Sequence, residues 1–135
     1  MLPFNQIKIG NLLRVEYKHQ IWEGEVVNLN ADEQQICVDT GVQEFWFDSK
    51  DVFPIPLNDA ELLKLNFVKQ VYADTGEVKY SKDAFRLIIP SADDFLNIEM
   101  WYREDRRHHP DVHAIHQLQN FYREMTKMHL SKELV

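Results

Sequence analysis

The stretch PIPLNDAELLKLNF, residues 54–67, constrains the fold more than any other part of the sequence. Its two prolines hold the chain extended, because a residue that precedes proline is pushed out of the helical region. Asn58 suits a helix N-cap, and Glu61 stands three residues later, as in a capping box. The pattern therefore predicts a helix over residues 59–66 and a boundary just before it.

The residues before this stretch alternate between apolar and polar side chains with the period of β-strands. Four segments share the alternation, and polar or glycine-containing turns separate them: IKIGNLLRVEY, IWEGEVVNLN, QQICVDTG and VQEFWFDS. A series of short strands of this kind is typical of a small closed sheet. We predict that residues 1–57 form an SH3-like β-barrel.

The residues after the helix carry a second set of strand signals. FVKQVYADTGEVKY indicates a hairpin, and AFRLIIP and FLNIEMWYRE indicate two further strands. A proline then precedes DVHAIHQLQNFY, and proline is tolerated at the first position of a helix. We predict a C-terminal helix over residues 110–128, and an α+β unit over residues 58–135 that is separate from the barrel or cooperative with it.

The C-terminal helix presents two contrasting sets of side chains. Five apolar residues fall on one stripe, which we expect to cover the second sheet: Val112, Ile115, Leu118, Tyr122 and Met125. Another face collects polar residues three or four positions apart: His109, His113, His116 and Asn120. A zinc site needs further ligands and an oriented second shell, and neither cysteine nor an HExxH motif accompanies these histidines. We interpret the polar face as exposed surface and predict no metal and no cofactor. A metal-dependent or histidine-assisted enzyme that uses residues 109–120 is the alternative.

Other candidates for catalysis have structural interpretations. The triplet Asp-Thr-Gly occurs at residues 39–41 and 74–76, but the two copies are too close in sequence for the two lobes of an aspartic protease. Aspartate and glycine are also what tight turns require. Cys37 lies inside a strand, where an inert thiol is expected. We therefore predict no catalytic residue and a protein that is not an enzyme.

The charge of the chain bears on its partners. A net charge of −7 and a pI near 5.3 disfavour nucleic acid, since such binding depends on Lys and Arg displacing counterions from phosphates. The densest basic cluster consists of Arg103, Arg106 and Arg107. Nucleic-acid binding through residues 103–109 and the barrel is a second alternative. The chain contains neither a membrane-spanning run nor the pattern of a signal peptide, so we expect a cytoplasmic protein.

Exposed aromatic residues of the barrel are the main candidates for binding. Tyr17, Trp22 and Trp46 could form a groove for another protein. With Phe45 and Phe47 they could instead line a cage of the Tudor type that holds a cation, although Trp46 has the opposite strand parity to those two neighbours. The leading hypothesis is a non-enzymatic protein-interaction module. The sequence leaves open whether the chain also forms a homo-oligomer.

Two motifs in order resemble a group of small uncharacterised proteins of Bacteroidetes and their prophages. The usual forms there are close to PIPLTEEWLLKFGF and VHQLQNLYFALTG, against PIPLNDAELLKLNF and IHQLQNFYREMT here. The resemblance implies a bacterial or phage origin and carries over a set of signature positions: His116, Gln117, Leu118, Gln119, Asn120 and Tyr122. Asn66 and Lys127 replace glycines of that group. The amides of Gln119 and Asn120 are suited to bonding a neighbouring backbone edge.

Overall fold

A computed structural model of the protein describes residues 2–108 and 111–131. The chain forms two compact units, made of residues 1–55 with 114–120 and of residues 56–113 with 121–135. Each unit contains an antiparallel sheet, and the C-terminal helix gives its first half to one unit and its second half to the other. The predicted α+β class is confirmed, whereas independent folding of two domains stays a prediction.

The first unit is built on a five-stranded sheet with the order β4-β3-β2-β1-β5. The strands are β1 Leu12–Tyr17, β2 Gln20–Asn30, β3 Gln35–Asp39, β4 Glu44–Asp48 and β5 Val52–Phe53. The first four were predicted, and β5 adds a short strand after a 3-10 helix at Ser49–Asp51. Among the described residues, strand pairing leaves β4 and β5 as the two edges, so closure into an SH3-like barrel stays a prediction.

The long strand β2 depends on a glycine and an irregular register. A Cβ atom on Gly24 would lie 2.5 Å from Cγ1 of Val38 and 2.7 Å from the carbonyl oxygen of Asp39, so only glycine fits there. Two residues further along, the register of β2 against β3 shifts between Val26 and Asn28. A bulge of this kind bends a strand and increases its twist.

Alternation within these strands produces the core of the first unit. Its buried residues are Leu2, Ile7, Leu13, Val15, Val26, Ile36, Val38, Phe47 and Val52. Leu13 and Val15 share one face of β1, as the period of two predicts. The residues that the alternation assigns to the apolar face of the sheet are therefore the residues that form its core.

The second unit contains a five-stranded meander with the order β10-β9-β8-β7-β6. Its strands are β6 Val68–Val71, β7 Val78–Lys82, β8 Phe85–Ile89, β9 Glu99–Tyr102 and β10 Asp105–His108. Strand β10 was not predicted, because its residues are charged and exposed or half-exposed and so carry no apolar alternation. Arg103 occupies the turn before it with a φ of 56°.

The first helix of the second unit confirms the predicted capping. Helix α1 spans Asp59–Lys64, and the side chain of Asn58 accepts a hydrogen bond from the backbone N–H of Glu61 at 2.9 Å. Helix α1 ends two residues earlier than predicted. Asn66 follows it with a φ of 66°, a left-handed conformation that commonly ends helices.

The C-terminal helix α2 spans Ile115–Thr126, so it is shorter than the predicted 110–128. Its start is marked by Gln117, whose Oε1 atom accepts the backbone N–H of Ala114 at 3.1 Å, in the manner of a capping box. Lys127 follows the helix with a φ of 64°, and its N–H bonds the carbonyl of Arg123 at 2.8 Å. The predicted opening at Pro110 lies outside the described residues.

The residues of the predicted apolar stripe are all buried, but not all of them pack against the second sheet. Tyr122 lies against the second sheet, with its ring centroid 4.9 Å from that of Phe85. Ile115 and Leu118 belong instead to the first unit. One continuous helix thus supplies buried side chains to each unit.

Candidate functional site

A cluster of aromatic rings lies at one end of the first sheet. The rings of Tyr17 and Phe45 have centroids 5.2 Å apart, and each of them lies 6.4 Å from Phe47 in an edge-on arrangement. Separations of 4.5–7 Å with tilted or edge-on planes are those that aromatic pairs prefer. Together with Trp22, these rings surround a cavity of about 90 Å³.

The cavity has an apolar wall and an open mouth. It is lined by Tyr17, Trp22, Thr40, Val42, Gln43, Phe45 and Phe47. Tyr17 and Trp22 are each 40% exposed, and Val42 is 77% exposed. We call this set of residues the aromatic pocket. Large side chains that are half-exposed around a concave surface are typical of a binding site rather than of a core.

A tight hairpin brings Tyr17 and Trp22 together. In the register of β1 with β2, Tyr17 pairs with Gln20 and Val15 pairs with Trp22. The two residues between the strands, Lys18 and His19, have φ values of 51° and 62°. A two-residue turn of type I′ requires positive φ at both positions, where asparagine and glycine are the usual residues. This turn therefore holds strained residues directly beside the pocket.

The opposite rim is a turn that contains the first Asp-Thr-Gly triplet. The carboxylate of Asp39 accepts the backbone N–H of Gly41 at 2.8 Å, and Gly41 has a φ of 89°. Gly76 in the second triplet has a φ of 80° and bonds the carbonyl of Tyr72 at 2.8 Å. The interpretation of both triplets as turns is confirmed. The first of them also places Thr40 on the rim of the pocket.

The three aromatic residues predicted for partner binding do not form one surface. Trp46 pairs with Cys37 across β3 and β4, whereas Phe45 pairs with Val38. Because side chains alternate along a strand, Trp46 lies on the other face of β4 from Phe45 and the pocket. Trp46 is 47% exposed there. The structure thus groups Tyr17 with Trp22, and Trp46 is not part of the same site.

Three residues of the pocket were not predicted to bind anything, namely Thr40, Val42 and Gln43, whereas Phe45 and Phe47 were predicted only as possible members of a cage. The parity of β4 was visible in the sequence and indicated that Phe45 and Phe47 share a face. The alternation within β4 does not specify which of its two faces is apolar. That face is set by the pairing of β4 with β3.

The histidines of the C-terminal segment lie in different environments. His113 precedes the first residue of α2, and its Nε2 atom lies 2.9 Å from Oδ1 of the exposed Asp111. His116 is 1% exposed, so the prediction of an exposed polar face is wrong for it. Helical spacing does not relate the two side chains, because only His116 is on the helix. His109 lies outside the described residues.

His116 is an unusual buried group. Within the part of the chain that the structure describes, neither of its ring nitrogens has a hydrogen-bond partner. Burial lowers the pKa of this imidazole below its ordinary value of 6.5, because the charged form loses its hydration. His116 is therefore neutral at neutral pH and behaves as part of the core of the first unit.

The signature amides bond the backbone of the first unit. Oε1 of Gln119 accepts the N–H of Leu12 at 2.7 Å, and its Nε2 atom donates to the carbonyl of Gly10 at 3.0 Å. Asn120 accepts a hydrogen bond from Nδ2 of Asn11 at 2.9 Å and donates to the carbonyl of Gln6 at 3.1 Å. The expectation that these amides bond a backbone edge is confirmed.

The predicted basic cluster is largely neutralised by carboxylates of the second unit. Nε of Arg106 lies 2.6 Å from Oε1 of Glu99, and the pKa of that carboxyl is held below its usual range by the arginine. Arg107 pairs with Asp105 at 3.2 Å. Arg103 is exposed at the turn before β10. Two of the three arginines are thus already engaged by acidic side chains.

The thiol of Cys37 and a depression in the second unit are weaker candidates for a functional site. Cys37 is buried, and burial together with the charges of Glu44 and Asp39 raises the pKa of its thiol, which suppresses the reactive thiolate. The second unit has a wider depression of about 410 Å³, lined by Leu57, Asn58, Asp93, Phe95, Leu96 and His113. The aromatic pocket is the more enclosed and more apolar of the two, so we take it as the candidate site.

The described residues contain no group of three or more His, Cys, Asp or Glu side chains placed to hold a metal ion. In the same residues, no helix combines the length and the apolar character needed to cross a membrane. Comparisons with protein-family models, with curated proteins and with solved structures give no match to this chain.

Proposed function

We propose that the protein is a non-enzymatic interaction module that binds another protein by accepting one of its side chains in the aromatic pocket. The observation that carries the proposal is the arrangement of Tyr17, Trp22, Phe45 and Phe47 around an open apolar cavity. Tyrosine and tryptophan dominate the energetic centres of protein interfaces, because they bury a large rigid surface at little entropic cost.

The volume of the cavity supports a side chain as the occupant. Sites for small organic ligands and cofactors enclose about 300–1,000 Å³, and benzene alone fills an engineered cavity of about 150 Å³. The aromatic pocket, at about 90 Å³, suits a single side chain that enters from a larger binding surface. The rest of the affinity then comes from contacts around the rim, where Val42 is exposed.

The strained hairpin is a second line of support. Non-glycine residues with positive φ cost about 1–2 kcal/mol each, and such strain collects at functional sites. Lys18 and His19 maintain this conformation directly after Tyr17. Asn-Gly at these two turn positions would make the hairpin more stable, so we infer that the side chains of Lys18 and His19 contribute to the binding surface.

The finer assignments of fold and origin are also proposals. The strand order β4-β3-β2-β1-β5, with a 3-10 helix before the short β5, supports an SH3-like barrel. The left-handed conformations of Asn66 and Lys127 support the resemblance to the Bacteroidetes and prophage group, which has glycine at both positions. A cytoplasmic location agrees with that origin. Fold and origin do not identify the partner, because small barrels have many functions.

Photo-crosslinking tests the proposal in the cells that produce the protein. A photoreactive benzoylphenylalanine replaces Val42 on the rim of the pocket, and a control variant carries it at the exposed Val68 of β6. We expect a discrete crosslinked protein from position 42 alone, and its loss when Trp22→Ala is added. The same adducts from both positions, or a yield that Trp22→Ala leaves unchanged, would contradict the proposal.

A further inference from the structure

The net charge of the protein is concentrated in the first unit. This unit holds four Lys and Arg side chains and nine Asp and Glu side chains, a net charge of −5. The second unit holds 11 and 13 of them, a net charge of −2. An excess of one sign on the unit that carries the pocket raises the local concentration of partners with the opposite sign.

One carboxylate is held against the turn that forms a rim of the pocket. Asp39 accepts the backbone N–H of Gly41 at 2.8 Å, in the turn that carries the lining residue Thr40. The carboxylate of Glu44 lies on the other face of β4 from Phe45, because side chains alternate along a strand. Glu44 therefore acts on the pocket only as part of the net charge of the first unit.

One ring of the pocket, that of Tyr17, already contacts a cation of the protein's own. The Nζ atom of Lys18 lies 5.4 Å from the centroid of the Tyr17 ring, within the range of a cation–π interaction. Lys18 sits in the exposed hairpin turn, so its ammonium group can exchange with a cation from outside. The Tyr17 ring face is thus shown to accept a positive charge.

We propose that the occupant of the aromatic pocket is a Lys or Arg side chain of a basic peptide segment in the partner protein. This inference rests on the proposed function and specifies its ligand. The aliphatic stem of the side chain packs between the aromatic rings, and its charged head displaces the ammonium group of Lys18 from the Tyr17 ring. The carboxylate of Asp39 and the net negative charge of the first unit attract the basic residues that flank it. An apolar or acidic segment would lose both interactions.

Selection from a displayed library of random peptides tests the inference without knowledge of the partner. The full-length protein is the target, with Trp22→Ala and Trp46→Ala as the pocket variant and its matched control. We expect peptides that share a Lys or Arg and that lose binding to Trp22→Ala but retain it with Trp46→Ala. Pocket-dependent peptides that share an apolar or acidic residue instead would overturn this inference and leave the interaction module standing. A selection that yields no peptide dependent on Trp22 would contradict both proposals.

Two comparisons with a selected peptide test whether the positive charge contributes to binding. Replacing its shared basic residue by norleucine keeps the stem and removes the charge, and we expect about a tenfold loss of affinity. Val42 is 77% exposed, so Val42→Lys and Val42→Glu alter the rim without disturbing packing. We expect Val42→Lys to weaken binding and Val42→Glu to strengthen it, by about threefold each. Equal affinity of the norleucine peptide, or equal effects of both Val42 variants, would show that the charge plays no part.

Discussion

Replacing Gln119 by leucine tests what attaches the start of helix α2 to the first unit. Gln119 is 5% exposed, and its amide bonds the N–H of Leu12 at 2.7 Å and the carbonyl of Gly10 at 3.0 Å. Leucine is similar in size, but it leaves that donor and that acceptor without partners. Each buried group left unpaired costs about 1–3 kcal/mol, so we expect a loss of about 2–6 kcal/mol in the free energy of unfolding.

Urea denaturation followed by tryptophan fluorescence and by circular dichroism measures this loss. A matched control is Gln70→Leu, because Gln70 is exposed on the edge strand β6, and a surface substitution of this kind changes stability by about 0.5 kcal/mol or less. Gln119→Glu separates the two bonds, since a carboxylate still accepts from Leu12 but repels the carbonyl of Gly10. A loss below about 1 kcal/mol for Gln119→Leu would refute the reasoning, because water would then replace the amide at no cost.

Three other substitutions test the packing and backbone arguments. Burial lowers the pKa of His116, so the unfolded state binds a proton at this imidazole before the folded state does as pH falls. Its contribution to the free energy of unfolding should be present above pH 6.5 and fall by at most about 1.4 kcal/mol per pH unit between pH 6.5 and the lowered pKa of the folded state. His116→Leu should flatten that part of a pH series of urea titrations. Gly24→Ala should lower the free energy of unfolding by about 1–3 kcal/mol, because the new Cβ would meet a Val38 methyl group at 2.5 Å; no change would show that β3 can move away. Lys127→Gly should raise the melting temperature, since it relieves about 1 kcal/mol of strain at a φ of 64°, and an unchanged or lower value would argue against that strain.

Local sequence signals predicted the elements whose causes are local. The N-cap at Asn58, the alternation of β1 to β4 and the two Asp-Thr-Gly turns depend on residues a few positions apart, and all are present. The burial of His116 could not be predicted in this way. Gln119 lies on the same helix and bonds a residue 107 positions away, so the polar side chains of α2 are buried by distant contacts that helical periodicity does not reveal.

The candidate site was predictable only in part, for the same reason. Tyr17 and Trp22 were identified as exposed aromatics, and the parity of β4 separated Trp46 from its neighbours. The inclusion of Phe45 and Phe47 depends on the register of β3 with β4 and on the bent course of β2. Strand β10 was missed because its charged residues give no alternating pattern.

The three tryptophans of the chain allow the most direct test of the aromatic pocket. Trp22 lines the pocket, Trp46 lies on the opposite face of β4, and Trp101 belongs to β9 in the second unit. An indole N–H spectrum of ¹⁵N-labelled protein, titrated with a crosslinked partner or a selected peptide, separates the three positions. We predict a saturable shift of the Trp22 signal, with Trp46 and Trp101 unchanged. Shifts of Trp46 or Trp101 while Trp22 stays in place would contradict the account.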